Sequence, residues 1–177
     1  MKYQSLFSTA IGTGMVIATE AGLCRIELPQ STQCFDRLHS STLTRQASSL
    51  LERYFRGEQV AFDLALDLSG NSPFQQLILS LTALIPYGQL ATYGWLAKQA
   101  DRPCAARAVG RALAANPLPV IIPCHRIIAA SGELTGYSCS GGILMKKNLL
   151  IMEGIDFRGQ TVKVKNTCFA QEFLIKK

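Results

Sequence analysis

A change of hydrophobic periodicity at Ser69–Pro73 (SGNSP) divides this chain into two folding problems. Upstream, FDLALDL over 62–68 alternates apolar and polar residues, the two-residue period of a half-buried strand. Downstream, FQQLILSLTALI over 74–85 is an apolar helical segment, with Ser72 as its cap and Pro73 at the first helical position. Gly, Asn and Pro in close succession interrupt both periods, so a domain boundary is expected there. The expected fold class is α/β: a small N-terminal α/β domain over 1–70, then a mainly α-helical domain over 71–160 with a helix-turn-helix. Residues 161–177 form a C-terminal extension.

Within the first part, MVIATEAGLCRIEL over 15–28 reads as a β-hairpin turning at Ala21-Gly22. TLTRQASSLLERYF over 42–55 repeats Leu43, Ala47, Leu50, Leu51, Tyr54 and Phe55 at helical spacing and stops before Gly57. In the second part a helix starts behind Thr92. Another runs from Arg102 to Asn116, with Asp101 as cap and Pro103 near its first position. LPVIIP over 118–123 suits a buried strand. A Gly/Ser-rich loop, SGELTGYSCSGG, and a last helix, ILMKKNLLIMEG, complete this part, and VKVK over 162–165 suits a short strand.

Charge follows the same division. Residues 1–72 carry six Lys/Arg against seven Asp/Glu, net −1, while residues 73–160 are net +4 and residues 161–177 net +3. A basic half suits a polyanionic partner such as nucleic acid, although a basic surface alone explains the same number. Arg102, Arg107 and Arg111 sit among six alanines in one helix, which is thin and positive enough for a groove; alanines packing closely on a neighbour read the same way. No apolar run reaches membrane-spanning length, and the N-terminal apolar stretch is broken by Gly, Thr and Glu. A soluble cytoplasmic protein is expected (nuclear in a eukaryote), with no membrane association.

The six cysteines include no CxxC pair and there are only two histidines, so no metal site is expected. The thiols are expected to be reduced, and all but Cys124 to be small buried hydrophobes or inert surface thiols. Cys124 differs because it lies in Pro123-Cys124-His125-Arg126. A nucleophilic cysteine acts as its thiolate, which is a minor species at neutral pH. An adjacent histidine can take the proton, and a carboxylate such as Glu153 can orient the imidazole. A bare Cys-His pair also arises by chance.

The stretch IPYGQLATYGWLAKQADRPCAARAVGRALAANPLPVIIPCHRIIAASGELTGY, residues 85–137, resembles the catalytic domain of the O6-alkylguanine-DNA alkyltransferases. The resemblance rests on the IPxG turn, the TYxxLA and AARAVG helices, NPxPxxIPCHR and GxLxGY in order. It continues through GG, Lys146 and LLxxEG, from about Phe74 to Asp156. It implies cofactor-free repair of double-stranded DNA containing O6-alkylguanine by a monomer, in one irreversible transfer to Cys124. It implies His125 as a water-mediated base, Glu153 as the carboxylate behind it and Asn116 as a brace of the turn before Cys124. Arg107 would fill the gap left by the flipped nucleotide. Tyr93 would press on the phosphate and donate to the flipped base. The backbone at Cys124 and Ile127 would read the guanine edge, and Tyr137 would be a pocket wall; Ser138 and Lys146 complete the expected substrate and DNA contacts.

The chain also departs from that pattern. Two extra residues separate Tyr137 from Gly141-Gly142, Asn148 stands where an aromatic is usual, and the tail is extra. By the resemblance, the longer loop is a lip over the alkyl group. Arg126 is expected to be a structural charge partner and Trp95 a core residue. The rival functions are a module that binds alkylated DNA without reacting, which would lack Cys124, and a cysteine hydrolase, which would leave the thin Arg-bearing helix unused.

Overall fold

The computed structural model describes residues 1–30, 39–139, 141–159 and 161–162. They form two units: Met1–Asn71 with Pro117–Ile121, and Ser72–Asn116 with the chain from Ile122 onward. The expected second domain is thus interrupted, because the chain leaves it after Asn116 and returns at Ile122.

The first unit is an antiparallel three-stranded sheet, β1 (Tyr3–Thr9), β2 (Gly12–Ala18) and β3 (Leu23–Gln30), covered by α1 (Thr42–Phe55). The hairpin at Ala21-Gly22 joins β2 to β3 as expected, and β1 adds a strand that the sequence reading lacked. Ser41 caps α1 in a reciprocal box with Thr44, satisfying end groups that helix geometry leaves open. One face of α1 buries Ala47, Leu51 and Tyr54 with Phe7 and Val16 of the sheet.

Two expected strands are not formed. FDLALDL touches β3 through a single bridge, Leu23 to Leu66, with the Leu23 N–H donating to Ala65 O and the Asp67 N–H to Leu23 O. The backbone approaches closely at Gly22, where an added Cβ would lie 2.7 Å from Ala65 O at φ +153°. LPVIIP is buried, as its composition requires, but it runs as turns. Val120 takes φ +75°, a conformation that breaks strand continuity and that β-branched residues rarely adopt.

The second unit packs α2 (Pro73–Ala83) and α3 (Tyr93–Gln99) against α4 (Ala106–Ala114). Ser72 and Thr92 cap α2 and α3 as expected. Asp101 does not cap α4. It adopts φ +55° and its N–H donates to Lys98 O, so it closes the turn that ends α3, a left-handed position that Asp tolerates. Consequently α4 begins at Ala106, later than Pro103 suggested, without a side-chain cap. Arg102 lies over the Phe74 ring at 5.9 Å. Val109, Ala112 and Leu113 face the core, leaving Arg107 and Arg111 exposed.

After a tight 3-10 turn at Cys124–Arg126, β5 (Ile127–Ile128) pairs in parallel with β4 (Ala91–Thr92). Then come α5 (Gly142–Met152) and a hairpin, β6 (Phe157–Arg158) and β7 (Thr161–Val162). Leu90, Ile128, Leu134, Leu150 and Ile155 form the core beneath them. Of the C-terminal extension only Thr161 and Val162, in β7, are described; the rest of VKVK and of the extension lies outside the described residues. No helix among the described residues is long and apolar enough to cross a membrane.

Candidate active site

Cys124 opens the 3-10 turn and is 6% exposed, at the floor of a cleft of about 540 Å³. That volume is in the range of small-ligand sites. Tyr93 at the start of α3, Arg107, Gly110 and Ala114 on α4, and Tyr137 and Ser138 on the following loop line it. The small residues along α4 therefore open the cleft as well as packing inward. Asn116, just past α4, donates through Nδ2 to Cys124 Sγ (3.1 Å) and to Ile122 O (2.9 Å), tying the turn to the sulfur.

Behind Cys124 is a buried charge network. His125 Nε2 meets Glu153 Oε1 at 2.8 Å; Arg126 donates from Nε to Oε2 (2.8 Å) and from Nη2 to Oε1 (2.9 Å). Arg126 also donates through Nη1 to Ile85 O at 2.6 Å. The Gly88 N–H donates to Glu153 Oε2 at 3.2 Å, and the left-handed Gly88 (φ +71°) would be strained by a larger residue, whose Cβ would also crowd Glu153 O at 3.1 Å. Both ends of the carboxylate are thus occupied, as a buried charge requires.

Burial pushes the Glu153 carboxyl up, but His125 and Arg126 more than offset this and hold it well below the usual carboxylate range. Burial lowers the His125 imidazole against the pull of Glu153, so the ring is neutral near pH 7. Burial raises the Tyr93 phenol, which keeps its proton and donates to Thr135 O at 3.2 Å.

Two expected contacts lie behind the cleft rather than in it. Lys146 is fully buried and its Nζ donates to Ile127 O (2.6 Å) and Thr135 O (3.1 Å). Burial lowers its ammonium to about 8, partly opposed by the Cys124 charge. The Ile127 carbonyl is therefore engaged, and the Ile127 N–H donates to Cys124 O. Lys146 and Ile127 hold the wall through which Cys124 and Thr135 face the cleft.

Cys139 departs furthest from expectation, because it is no inert thiol: its ionisation is linked to that of Cys124. The Cys139 thiol, with burial, raises the Cys124 thiol well above its ordinary value, while Asn116 pulls it down. Cys124 in turn draws the Cys139 thiol down to about 7. In the sequence its only signal was the two-residue excess in the loop. The contribution of Gly88 was hidden in an ordinary Pro-Tyr-Gly turn.

Asn116 gives a direct test, since it favours the thiolate of Cys124. Asn116→Ala raises the Cys124 pKa further and slows its alkylation by a small electrophile at neutral pH about tenfold, with the rate profile displaced to higher pH. An unchanged profile would remove Asn116 from the electrostatics of the sulfur.

A buried cysteine at the floor of a cleft, with a neutral histidine held by a carboxylate, defines a cysteine-nucleophile protein. The 6-O-methylguanine DNA methyltransferase, ribonuclease-like domain matches residues 2–68, and the DNA binding domain of the same family matches residues 73–155. The chain belongs to the 6-O-methylguanine DNA methyltransferase family. A methylated-DNA--protein-cysteine methyltransferase of Methanosarcina acetivorans is 38% identical over 161 residues, covering 86% of this chain and 98% of that protein. The crystal structure of Mycobacterium tuberculosis O6-methylguanine methyltransferase superposes with a TM-score of 0.72 at 37% identity, over 86% of this chain and 93% of that one. Mycobacterium tuberculosis OGT in complex with DNA gives 0.72 at 38% identity, over 85% and 92%.

Proposed function

We propose that Cys124 is the acceptor in a single-turnover DNA repair reaction that removes the alkyl group from O6 of guanine in double-stranded DNA. The observation that carries this reading is Cys124 at the floor of a base-sized cleft, with Asn116 on its sulfur and the His125–Glu153–Arg126 network behind it. His125 Nε2 is committed to Glu153, so the proton of Cys124 passes, through a water, to the other ring nitrogen. The Cys124 sulfur forms a bond to the alkyl carbon in line with O6, and the carbon–O6 bond breaks with its electron pair going to the purine. Tyr93 gives its proton to guanine N3, which improves the leaving group, and must release Thr135 O to do so. The product thioether is not hydrolysed, so each molecule acts once.

O6 is paired inside a duplex, so the nucleotide must rotate out to reach a cleft of this depth. The helices α3 and α4, read here as a helix-turn-helix, carry Arg107 and small residues along the cleft, which suits a minor-groove approach with Arg107 filling the vacated stack. Tyr137 and Ser138 form the opposite wall, where Ser138 Oγ donates to Ala114 O at 2.7 Å. The reading is of a cytoplasmic, cofactor-free monomer with domains over 1–70 and 71–160. Intact mass after mixing with a duplex containing O6-methylguanine tests it: one methyl should appear, on the Cys124 peptide. Sustained turnover, or methyl on another thiol, rejects it.

Arg107 separates flipping from chemistry. Arg107→Ala should slow repair of the duplex about tenfold or more, because extrusion costs a few kcal/mol that the arginine helps to hold. Reaction with free O6-benzylguanine, which needs no extrusion, should change little. Equal losses on both substrates would exclude the finger role.

A further inference from the structure

We propose that Arg111 is the phosphate clamp of the extruded nucleotide, gripping a phosphodiester beside the alkylated guanine while Arg107 fills the gap in the stack. Arg107, Gly110, Arg111 and Ala114 fall at the i, i+3, i+4 and i+7 positions of α4 and line one wall of the cleft that Cys124 floors. The alkyl transfer proposed above makes no use of Arg111. Other cations of this unit are already engaged: Arg126 holds Glu153 and Ile85 O, Lys146 holds the Ile127 and Thr135 carbonyls, and Arg102 lies over the Phe74 ring. The Arg111 guanidinium is exposed and has no hydrogen bond or ion pair among the described residues. No carboxylate among those residues lines the cleft, so nothing in its wall neutralises the charge.

An unopposed guanidinium on the wall of a base-sized cleft suits an anion. A base that turns into the cleft brings the two phosphodiesters of its own nucleotide to the rim, where the backbone stays in water. The alkyl group, by contrast, has to reach the buried sulfur of Cys124. An exposed cation on the wall is therefore matched to the backbone rather than to the group transferred. The planar guanidinium can give two parallel N–H donors to the oxygens of one phosphate, which fixes position as well as supplying charge. Arg107 and Arg111 are one turn apart, about 6 Å along α4, so an Arg107 in the vacated stack leaves Arg111 beside the strand from which the nucleotide has turned. Such a contact carries no sequence preference, as suits a lesion found in any context. It holds the nucleotide once it is out, and so acts on single strands as well as on duplexes.

The clamp rests on the nucleotide extrusion of the proposed repair reaction, so binding is read apart from transfer. In the Cys124→Ser background, Arg111→Ala should weaken binding to a duplex containing O6-methylguanine about tenfold, and lower the slope of log affinity against log salt by about 1. Arg111→Lys should keep the slope and recover only part of the affinity, because a point charge lacks the fork. The decisive duplexes carry an uncharged methylphosphonate at the linkage on the 5′ or the 3′ side of the lesion. With one of the two, the difference made by Arg111→Ala should fall below about twofold, since the charge it served is gone. With Cys124 intact, Arg111→Ala should slow transfer from duplex and single-stranded oligonucleotides about tenfold more than transfer from free O6-benzylguanine. The loss in Arg107→Ala should be confined to the duplex. A binding difference that survives at both neutral linkages, or equal slowing on DNA and free base, would overturn the clamp. If the parent transfers no alkyl group but the phosphate-specific loss of binding is seen, the repair reading fails and the clamp stands; transfer without that loss gives the reverse.

Discussion

Cys124→Ser abolishes alkyl transfer to O6-methylguanine duplexes while leaving duplex binding within about twofold of the parent. A serine hydroxyl is a far weaker nucleophile than a thiolate, and the neutral, buried His125 is too weak a base to ionise it, so a loss of at least about a thousandfold is expected. Binding should survive because Cys124 is at the cleft floor, whereas Arg107 and Arg111 are exposed on α4, the helix proposed to approach the DNA. Electrophoretic mobility shift and intact mass measured on the same preparation decide it. Methyl transfer by the serine protein, at Cys139 or elsewhere, would move the nucleophile.

Glu153→Ala should cost about 3–5 kcal/mol of stability, because it leaves the Arg126 guanidinium buried without its carboxylate and His125 without its anchor. Urea unfolding read from the second unit measures this. An effect no larger than that of a surface substitution would show that the network is not holding the turn. Exchanging Glu153 and Arg126 together for apolar residues of similar size should recover much of the stability without recovering transfer, which separates packing from chemistry.

The same network sets the response to acid. The Glu153 carboxyl is depressed by folding, so its contribution is complete above the ordinary carboxylate value near 4.5 and is lost as pH falls towards the folded value. His125 is also depressed by folding, so below about 6.5 the unfolded chain takes up a proton that the folded one refuses. Both effects have the same sign, and the parent protein should lose stability steadily below about pH 6.5. Glu153→Ala should retain only the part that remains of the histidine contribution.

Much of this architecture was legible in short-range patterns. The caps at Ser72 and Thr92, the helix over 42–55 and the hairpin at Ala21-Gly22 depend on neighbours a few residues apart, and the structure forms each of them. Asp101 misled because its preference for helix starts and its tolerance of a left-handed turn point to opposite ends of the same connection. FDLALDL and LPVIIP misled because alternation and apolarity report burial, and a strand also needs a partner backbone alongside it.

The site divides in the same manner. Pro123-Cys124-His125-Arg126 stood out as a local motif, whereas Tyr93, Arg107 and Tyr137 entered only through the family resemblance; the structure brings Cys124, Tyr93, Arg107 and Tyr137 to one cleft. Sequence alone therefore determined the kind of chemistry, the two-part organisation and the family resemblance that Cys124 anchors. Tertiary structure alone decided what surrounds each group: that Arg126 grips both oxygens of Glu153, that Gly88 lends the carboxylate an N–H, and that Lys146 holds two carbonyls behind the cleft. Those partners come from loops and helices far apart in the chain. Their ionisation depends on burial and on the direction of single hydrogen bonds, neither of which residue order specifies before the chain has folded.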